Sequence, residues 1–204
     1  MVDIRRAGRG DIEACAGVLA RAFQDDPGTR NFEPDEDRRR VVLPPFFRTF
    51  VAAALDEDGD LVVAGDPVNG IASWFGPDRH GPSPEAMGAN GFGDVLAIAG
   101  PETADRLLAM VGEIERQHDA LTSGPHFRLE FFGVLPERQG SGLGSALIDH
   151  GHRRADEADL PTYLETFTQP NVRFYERRGY VRVGDFTIAD GSTGWGMIRP
   201  PRPR

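Results

Sequence analysis

Apolar positions along the chain switch between a period of two and a period near 3.6, and each switch marks an element. Residues 2–7 alternate weakly and predict a short opening strand. Gly10-Asp11 offers an N-cap with Glu13 in the first turn. Ile12, Cys15/Ala16, Leu19 and Ala22/Phe23 then recur at helical spacing, so 11–24 reads as an amphipathic helix, closed by Asp25-Asp26-Pro27-Gly28. A second helical stretch runs over 35–55, carried by Val41/Val42, Phe46/Phe47, Phe50/Val51 and Ala54/Leu55, and Pro44-Pro45 must kink or split it. Residues 61–64 and 71–75 flank Asp66-Pro67-Val68-Asn69-Gly70 and read as a β-hairpin. Residues 76–100 are rich in Gly and Pro and carry no readable period. Ala104, Leu107/Leu108, Val111, Ile114 and Leu121 line one face of a further helix.

The segment with chemistry is 125–147. Phe127, Leu129 and Phe131 alternate with His126, Arg128 and Glu130, which predicts a strand with one apolar and one polar face. It ends at Val134-Leu135-Pro136, and Gln139-Gly140-Ser141-Gly142-Leu143-Gly144 follows, opening a helix. A strand, a glycine-rich turn and a helix N-terminus together form a phosphate site: glycines let the main chain approach the ligand, unpaired N–H groups point at it, and the helix dipole favours negative charge. The dinucleotide fingerprint G-x-G-x-x-G fits at Gly140 and Gly142 but meets Ser145 at its third glycine.

Composition narrows the field. The chain has 204 residues, with 23 basic against 32 acidic side chains and a formal charge of −9, which disfavours nucleic acid and anionic membrane partners. All 23 basic residues are arginine; without lysine there is no Walker-A loop and no lysine Schiff base. One cysteine, Cys15, cannot form an internal disulfide and reads as a small core residue. His80, His118, His126, His150 and His152 show no ligand spacing, so no metal is expected. No apolar run nears the ~20 residues of a membrane helix, and the first residues lack a secretory apolar stretch, so a soluble cytoplasmic protein is the expectation.

The motif Gln139-Gly140-Ser141-Gly142-Leu143-Gly144, with the preceding Gly133-Val134-Leu135-Pro136, resembles the Q/R-x-x-G-x-G/A signature of the GCN5-related N-acetyltransferases (GNAT). A second motif, Asn171 followed by Phe174-Tyr175-Glu176-Arg177-Arg178-Gly179-Tyr180 after the strand-like Tyr163-Leu164-Glu165-Thr166, looks like the family's N-x-x-x-x-F/Y-Y-E-x-x-G-F/Y pattern, though only two residues separate Asn171 from Phe174. The closing Trp195-Gly196-Met197-Ile198-Arg199-Pro200 resembles the last strand of puromycin-type acetyltransferases. The resemblance implies one α/β domain over 1–200 with a frayed tail at 201–204, built on a mixed, mostly antiparallel sheet of six to seven strands. Helices would cover both faces, and a strand pair would splay to admit acetyl-CoA. By the same analogy, main-chain N–H groups of Gln139, Gly140, Ser141, Gly142, Leu143, Gly144 and Ser145 would hold the diphosphate. Phe132, Gly133 and Val134 would pair with the pantetheine arm and supply an oxyanion donor, and Asn171 would contact that arm or orient its loop.

The implied reaction is direct attack of a primary amine, expected to belong to a small molecule, on the thioester in a ternary complex. Tyr175 would be the acid that protonates the leaving thiolate. Glu130, on the polar face about 13 Å along the strand from Val134, is the first candidate for the base, through a water, and Glu165 is its rival. Trp74 and the Phe46/Phe47/Phe50 group suggest an apolar acceptor wall between the hairpin, the first two helices and the loop at 76–92. A homodimer is a possible assembly. The competing reading is a non-catalytic acyl-CoA sensor that keeps the glycine loop without needing Tyr175; a nucleotide-binding protein is the third.

Overall fold

Alternation in β2 (Asp60–Ala64) sends Leu61 and Val63 to one face of a sheet and Val62 and Ala64 to the other, and all four are fully buried. Such a strand is covered on both sides. The computed structural model, which describes residues 2–202, shows how. Seven strands form one sheet in the order β1-β2-β3-β4-β5-β7-β6. The other strands are β1 (Ile4–Arg6), β3 (Gly70–Phe75), β4 (Phe127–Val134), β5 (Thr162–Thr166), β6 (Val181–Thr187) and β7 (Thr193–Arg199). Every pair is antiparallel except β4 with β5.

Eight α-helices are present among the described residues: α1 (Ile12–Ala22), α2 (Pro27–Phe32), α3 (Glu36–Asp56), α4 (Pro84–Ala89), α5 (Phe92–Ala99), α6 (Pro101–Leu121), α7 (Leu143–Glu157) and α8 (Gln169–Glu176). One core joins Leu19, Phe47, Val51, Val95 and Leu107 from α1, α3, α5 and α6 to Leu61, Val63 and Ile71 of the sheet. The other joins Leu147, Ile148 and Ala155 of α7 and Val172 of α8 to Val62, Ala72, Trp74 and Leu129. The expected α/β sheet with helices on both faces is therefore what the chain forms.

Three local features depart from the sequence reading. First, α3 does not split at Pro44-Pro45. The two prolines deprive the carbonyls of Arg40 and Val41 of their helical donors, and both residues are exposed, so water reaches those oxygens. Second, Asp25-Asp26-Pro27-Gly28 ends one helix and at once starts another. Asp26 caps α2, accepting from the N–H of Gly28 at 2.8 Å, with Pro27 at the first helical position. Third, the unreadable 76–100 stretch holds α4 and α5. At the C-terminal end, the Arg202 N–H donates to Asp156 at 2.8 Å, while Pro203 and Arg204 of the expected frayed tail lie outside the described residues.

The splay sits at the centre of the sheet. β4 is eight residues long, yet it pairs with β5 only through Phe127↔Thr162 and Arg128↔Tyr163. Beyond Arg128 the two strands diverge, while β3 remains paired with β4 as far as Val134. The diverging edge of β4 carries main-chain groups with no strand opposite them.

Candidate active site

The glycine-rich turn leads into a cleft of about 480 Å³ beside the free edge of β4. Gly140 and Gly142 take φ values of +75° and +88°, a left-handed backbone that an L side chain adopts only under strain. A Cβ at either would meet nothing within 4 Å, so this part of the cup is open. Gly142 is the N-cap of α7, whose first N–H groups face the cleft without a side-chain cap. Gly144 lies against Phe132, where a Cβ would come within 3.0 Å of the ring. Three arginines surround this cup in an otherwise acidic chain. Arg138 and Arg177 line it. Arg178 stacks 3.6 Å over the Phe174 ring and donates to the Ser145 hydroxyl at 2.5 Å, tying α8 to the first turn of α7. A cradle of main-chain donors rimmed by guanidiniums suits a diphosphate.

The second part of the site grows from a β-bulge. Ser73 pairs with Phe131 and Trp74 with Leu129, so Glu130 is the extra residue of β4. The Ser73 hydroxyl repairs the ladder there, accepting from the Phe131 N–H at 2.9 Å and donating to its carbonyl at 3.1 Å. The bulge shifts the alternation, and this corrects the expected division of apolar and polar faces. Phe127 and Leu129 pack in the α7 core, whereas Phe131 packs against Phe23, Phe46, Phe47 and Phe50 of the other core. Arg128, Glu130 and Phe131 thus line one cavity of about 130 Å³.

At the floor of that cavity one guanidinium meets three carboxylates. Arg128, 1% exposed, donates to Glu115 at 2.8 Å, lies 3.0 Å from Glu130 and reaches both Glu165 oxygens at 3.4 Å. Burial opposes the charge on Arg128, but the three glutamates overcome it and raise its pKa. Burial likewise pushes Glu130 up against the pull of Arg128. For Glu165, burial and the neighbouring charge of Glu130 outweigh Arg128 and carry the carboxyl to about 7. That value is poised for proton exchange near neutrality.

Tyr175 lines the same cavity, and burial, with smaller effects from Tyr180 and Asp26, raises its phenol, which stays protonated. Four residues, Phe23, Asp26, Phe132 and Asn171, border both the cleft and the cavity. Burial pushes Asp26 up to about 6 despite its hydrogen bonds to the main chain of Gly28 and Thr29. The two spaces therefore meet beside the diverging edge of β4.

The sequence profile of the acetyltransferase (GNAT) family matches residues 71–180, more than half of the chain and the whole of this site except Ala22, Phe23, Asp26 and the α2–α3 wall. The chain belongs to the GNAT family. An uncharacterised N-acetyltransferase from Schizosaccharomyces pombe is 34% identical over 80 residues, which is 36% of this chain and 34% of that one, so the match spans about a third of the curated relative. A Corynebacterium glutamicum protein described as histone acetyltransferase HPA2 and related acetyltransferase is 25% identical, with all of this chain and 98% of that one covered at a TM-score of 0.68. The mosquito arylalkylamine N-acetyltransferase-like 5b shares the fold at 15% identity and a TM-score of 0.66, with 98% and 100% of the two chains covered.

Within this GNAT fold the residues singled out from sequence separate into two groups. Gly133, Val134, Gln139, Gly140, Gly142, Gly144 and Ser145 line the cleft, with Phe132 and Asn171 at its junction with the cavity. Ser141 and Leu143 do not present side chains to it: the Ser141 hydroxyl donates to the Arg138 carbonyl, and Leu143 is buried in the core. Glu130, Glu165 and Tyr175 share the cavity. Trp74 does not line the cavity; it lies on the opposite face of the sheet, so close to α7 that only Gly151 leaves it room. Instead of the hairpin and the 76–92 loop, the wall comes from α2, α3 and α6.

Sequence reasoning missed Arg128 as the centre of the acid cluster, Glu115, Asp26 and the Arg138/Arg177/Arg178 rim. Only Arg177 and Arg178 carried a signal, inside the Phe174-to-Tyr180 motif. Cys15 is fully buried, and burial pushes its thiol up to about 12, as a core residue requires. His150 and His152 point to different partners, His150 to Asp60 at 2.8 Å and His152 to the Tyr180 hydroxyl at 3.1 Å. The other three histidines, though dispersed in sequence, converge.

Proposed function

We propose that this GNAT protein transfers an acetyl group from acetyl-CoA to the primary amine of a small molecule, without a covalent enzyme intermediate. The observation that carries the reading is the junction at Phe132 and Asn171, where an arginine-rimmed cup of main-chain donors opens into a carboxylate-floored cavity. The acyl thioester supplies the activated acetyl group. The N–H groups of Gln139 to Ser145, with Arg138, Arg177 and the α7 dipole, hold the diphosphate. The free edge of β4 at Phe132, Gly133 and Val134 takes the pantetheine arm as an added strand, and one of its N–H groups faces the thioester oxygen.

An alkylammonium of pKa about 10 leaves roughly one amine in 10³ neutral at pH 7, so a proton acceptor matters. We assign that role to Glu165, reached through water. Glu130 raises its value and Arg128 orients both. The amine nitrogen bonds to the acyl carbon and its proton passes to Glu165. The carbon–sulfur bond breaks, and the Tyr175 phenol donates a proton to the departing thiolate. Phe23, Phe32, Phe46, Phe47, Leu107 and Met110 give the acceptor an apolar wall, while the glutamates favour its cationic resting form. The acceptor is therefore a cationic amine on a compact apolar or aromatic body.

Calorimetry with acetyl-CoA beside NAD and ATP tests the first half. Saturable acetyl-CoA binding is expected, and NAD binding in its place overturns the assignment. Tyr175→Phe tests the second: acetyl-CoA affinity is retained while turnover over an amine panel, read as free thiol, falls about a hundredfold or more. A variant that turns over like the wild type removes Tyr175 from the chemistry, and a wild type that binds acetyl-CoA without turning over any amine of the panel returns the protein to the sensor reading.

A further inference from the structure

Beyond the acyl-transfer site, on the far side of Arg128, three imidazoles meet from three separate segments: His80 from the loop between β3 and α4, His118 from the last turn of α6, and His126 from the residue before β4. One ring nitrogen from each lies within 4.8 Å of the other two. His118 and His126 are 3% and 4% exposed. Their Nε2 atoms stand 2.8 Å apart, and the His80 and His126 rings stack at 4.1 Å.

The hydrogen bonds around the cluster aim ring nitrogens at one another. His126 Nδ1 lies 2.9 Å from the Gly124 carbonyl, which only accepts, so Nδ1 carries the proton and Nε2 of the neutral ring is a bare lone pair facing His118. His118 Nε2 then donates to His126 Nε2, and a metal ion takes the place of that proton when the proton moves to Nδ1, where the Asp119 carboxylate stands 3.5 Å away. His80 has the main chain of His126 as a hydrogen-bond partner, and its Nε2 is buried with no partner. A carbonyl or carboxylate behind each ligating imidazole is how metal-binding histidines are oriented. Water or protein partners normally satisfy a buried ring nitrogen, so the orphaned His80 Nε2 needs an explanation.

We propose that His80, His118 and His126 form a binding site for one divalent transition-metal ion of the zinc class, with a fourth position open on the half-buried His80 side. Three neutral nitrogen donors with no carboxylate or thiolate suit such an ion, not calcium or magnesium. Tetrahedral Zn–N bonds of about 2.0–2.1 Å set their nitrogens about 3.4 Å apart. The His118–His126 pair opens slightly and His80, on a loop, closes to reach that spacing.

The surrounding charge allows it. Arg128, which donates to the His80 carbonyl at 3.3 Å, is the opposing cation. Glu115, Glu130 and Glu165 around that guanidinium, and Asp119 beside His118, more than offset it. The ion would staple the His80 loop to α6 and to the start of β4, the two elements that carry Glu115 and Arg128. The absence of ligand spacing in sequence is no obstacle, because the triad is assembled by the fold.

The test uses untagged, chelator-stripped full-length protein titrated with Zn²⁺ against a chromogenic chelator, and with Co²⁺ followed by visible absorption. One equivalent per chain is expected, with a Co²⁺ ligand-field spectrum of a nitrogen-coordinated, low-symmetry site. His80→Ala, on a half-buried loop, should weaken Zn²⁺ binding at least about tenfold, and His126→Ala should do the same. His150→Ala, outside the triad, should change nothing. Circular dichroism checks each fold; if His126→Ala unfolds, His80→Ala decides. No saturable binding by the wild type, or binding that His80→Ala leaves intact, overturns the site and leaves three imidazoles hydrogen-bonded to one another.

Discussion

The two spaces that meet at Phe132 are built in opposite ways. The cleft is made largely of main chain: seven consecutive residues, two of them held at positive φ, place amide donors at the start of one helix. The cavity is made of side chains brought from α2, α3, α6, β4, β5 and α8, which lie up to about 150 positions apart in the 204-residue sequence. The first can hold the invariant part of a cosubstrate with little dependence on side-chain identity. The second can be re-specified by changing a phenylalanine or a glutamate without disturbing the first. A scaffold divided this way keeps its donor and varies its acceptor.

That division can be attacked from either side. The largest effect should come from the cavity. Glu165→Gln should lower kcat/KM about a hundredfold. With the wild-type carboxyl at about 7, activity rises as pH rises through that value, and the variant should lose this limb. Glu130→Gln should instead move the limb to lower pH, since it removes a charge that raises Glu165. If Glu130→Gln abolishes the limb and Glu165→Gln spares it, the two roles are exchanged. The fold offers an independent readout. A folded carboxyl at about 7 against an ordinary 4.5 binds its proton more tightly than the unfolded chain does, so stability falls as pH rises across that window, and Glu165→Gln should flatten the slope.

The cleft side gives a smaller effect of a different kind. Gly142→Val places a β-branched side chain at φ +88°, where strain of a few kcal/mol must be relieved by moving the loop. The dissociation constant for acetyl-CoA, measured by calorimetry, should rise about tenfold to a hundredfold. The pH limb assigned to Glu165 should stay where it was. A shifted limb would mean that the two halves are not separable.

The smallest expected effect lies outside both. Burial alone would raise Asp60, but a hydrogen bond from His150 and the charge of Arg154 bring it down to about 2. Stability from this group is present above its ordinary 3.8 and is lost as pH falls through about 2. Asp60→Asn should cost about 2 kcal/mol at pH 7, read by denaturant unfolding, and progressively less as pH falls through about 2. Acetyl-CoA affinity and the Glu165 limb should both be untouched.

What could be read from the sequence follows the same division. The Gln139-to-Ser145 cup was legible because its chemistry depends on glycines adjacent in the chain and on the helix they open. The hairpin, α1, α6 and the order of elements were legible because each carries its own period. The floor of the cavity was not: Arg128 looks like an outward strand residue until α6 and β5 close over it and leave it 1% exposed. Asp26 looks like punctuation between helices, and nothing local announces that the same carboxylate borders two cavities. Pro44-Pro45 misled for a physical reason, since the carbonyls they deprive are at the surface, where the loss is smallest. The alternation rule failed at one residue, Glu130, because a bulge leaves no mark in the hydropathy pattern.

That single supernumerary residue has a mechanical consequence. Removing Glu130 would let β3 and β4 pair without interruption and so give a more regular sheet. Leu129 and Phe131 already sit on opposite faces, so Arg128 would keep its side, and what the deletion takes away is the carboxylate that faces Arg128 and raises Glu165. In this architecture a smoother ladder and an intact acid cluster are mutually exclusive, because only the bulge lets two consecutive side chains, Glu130 and Phe131, share one face of the strand.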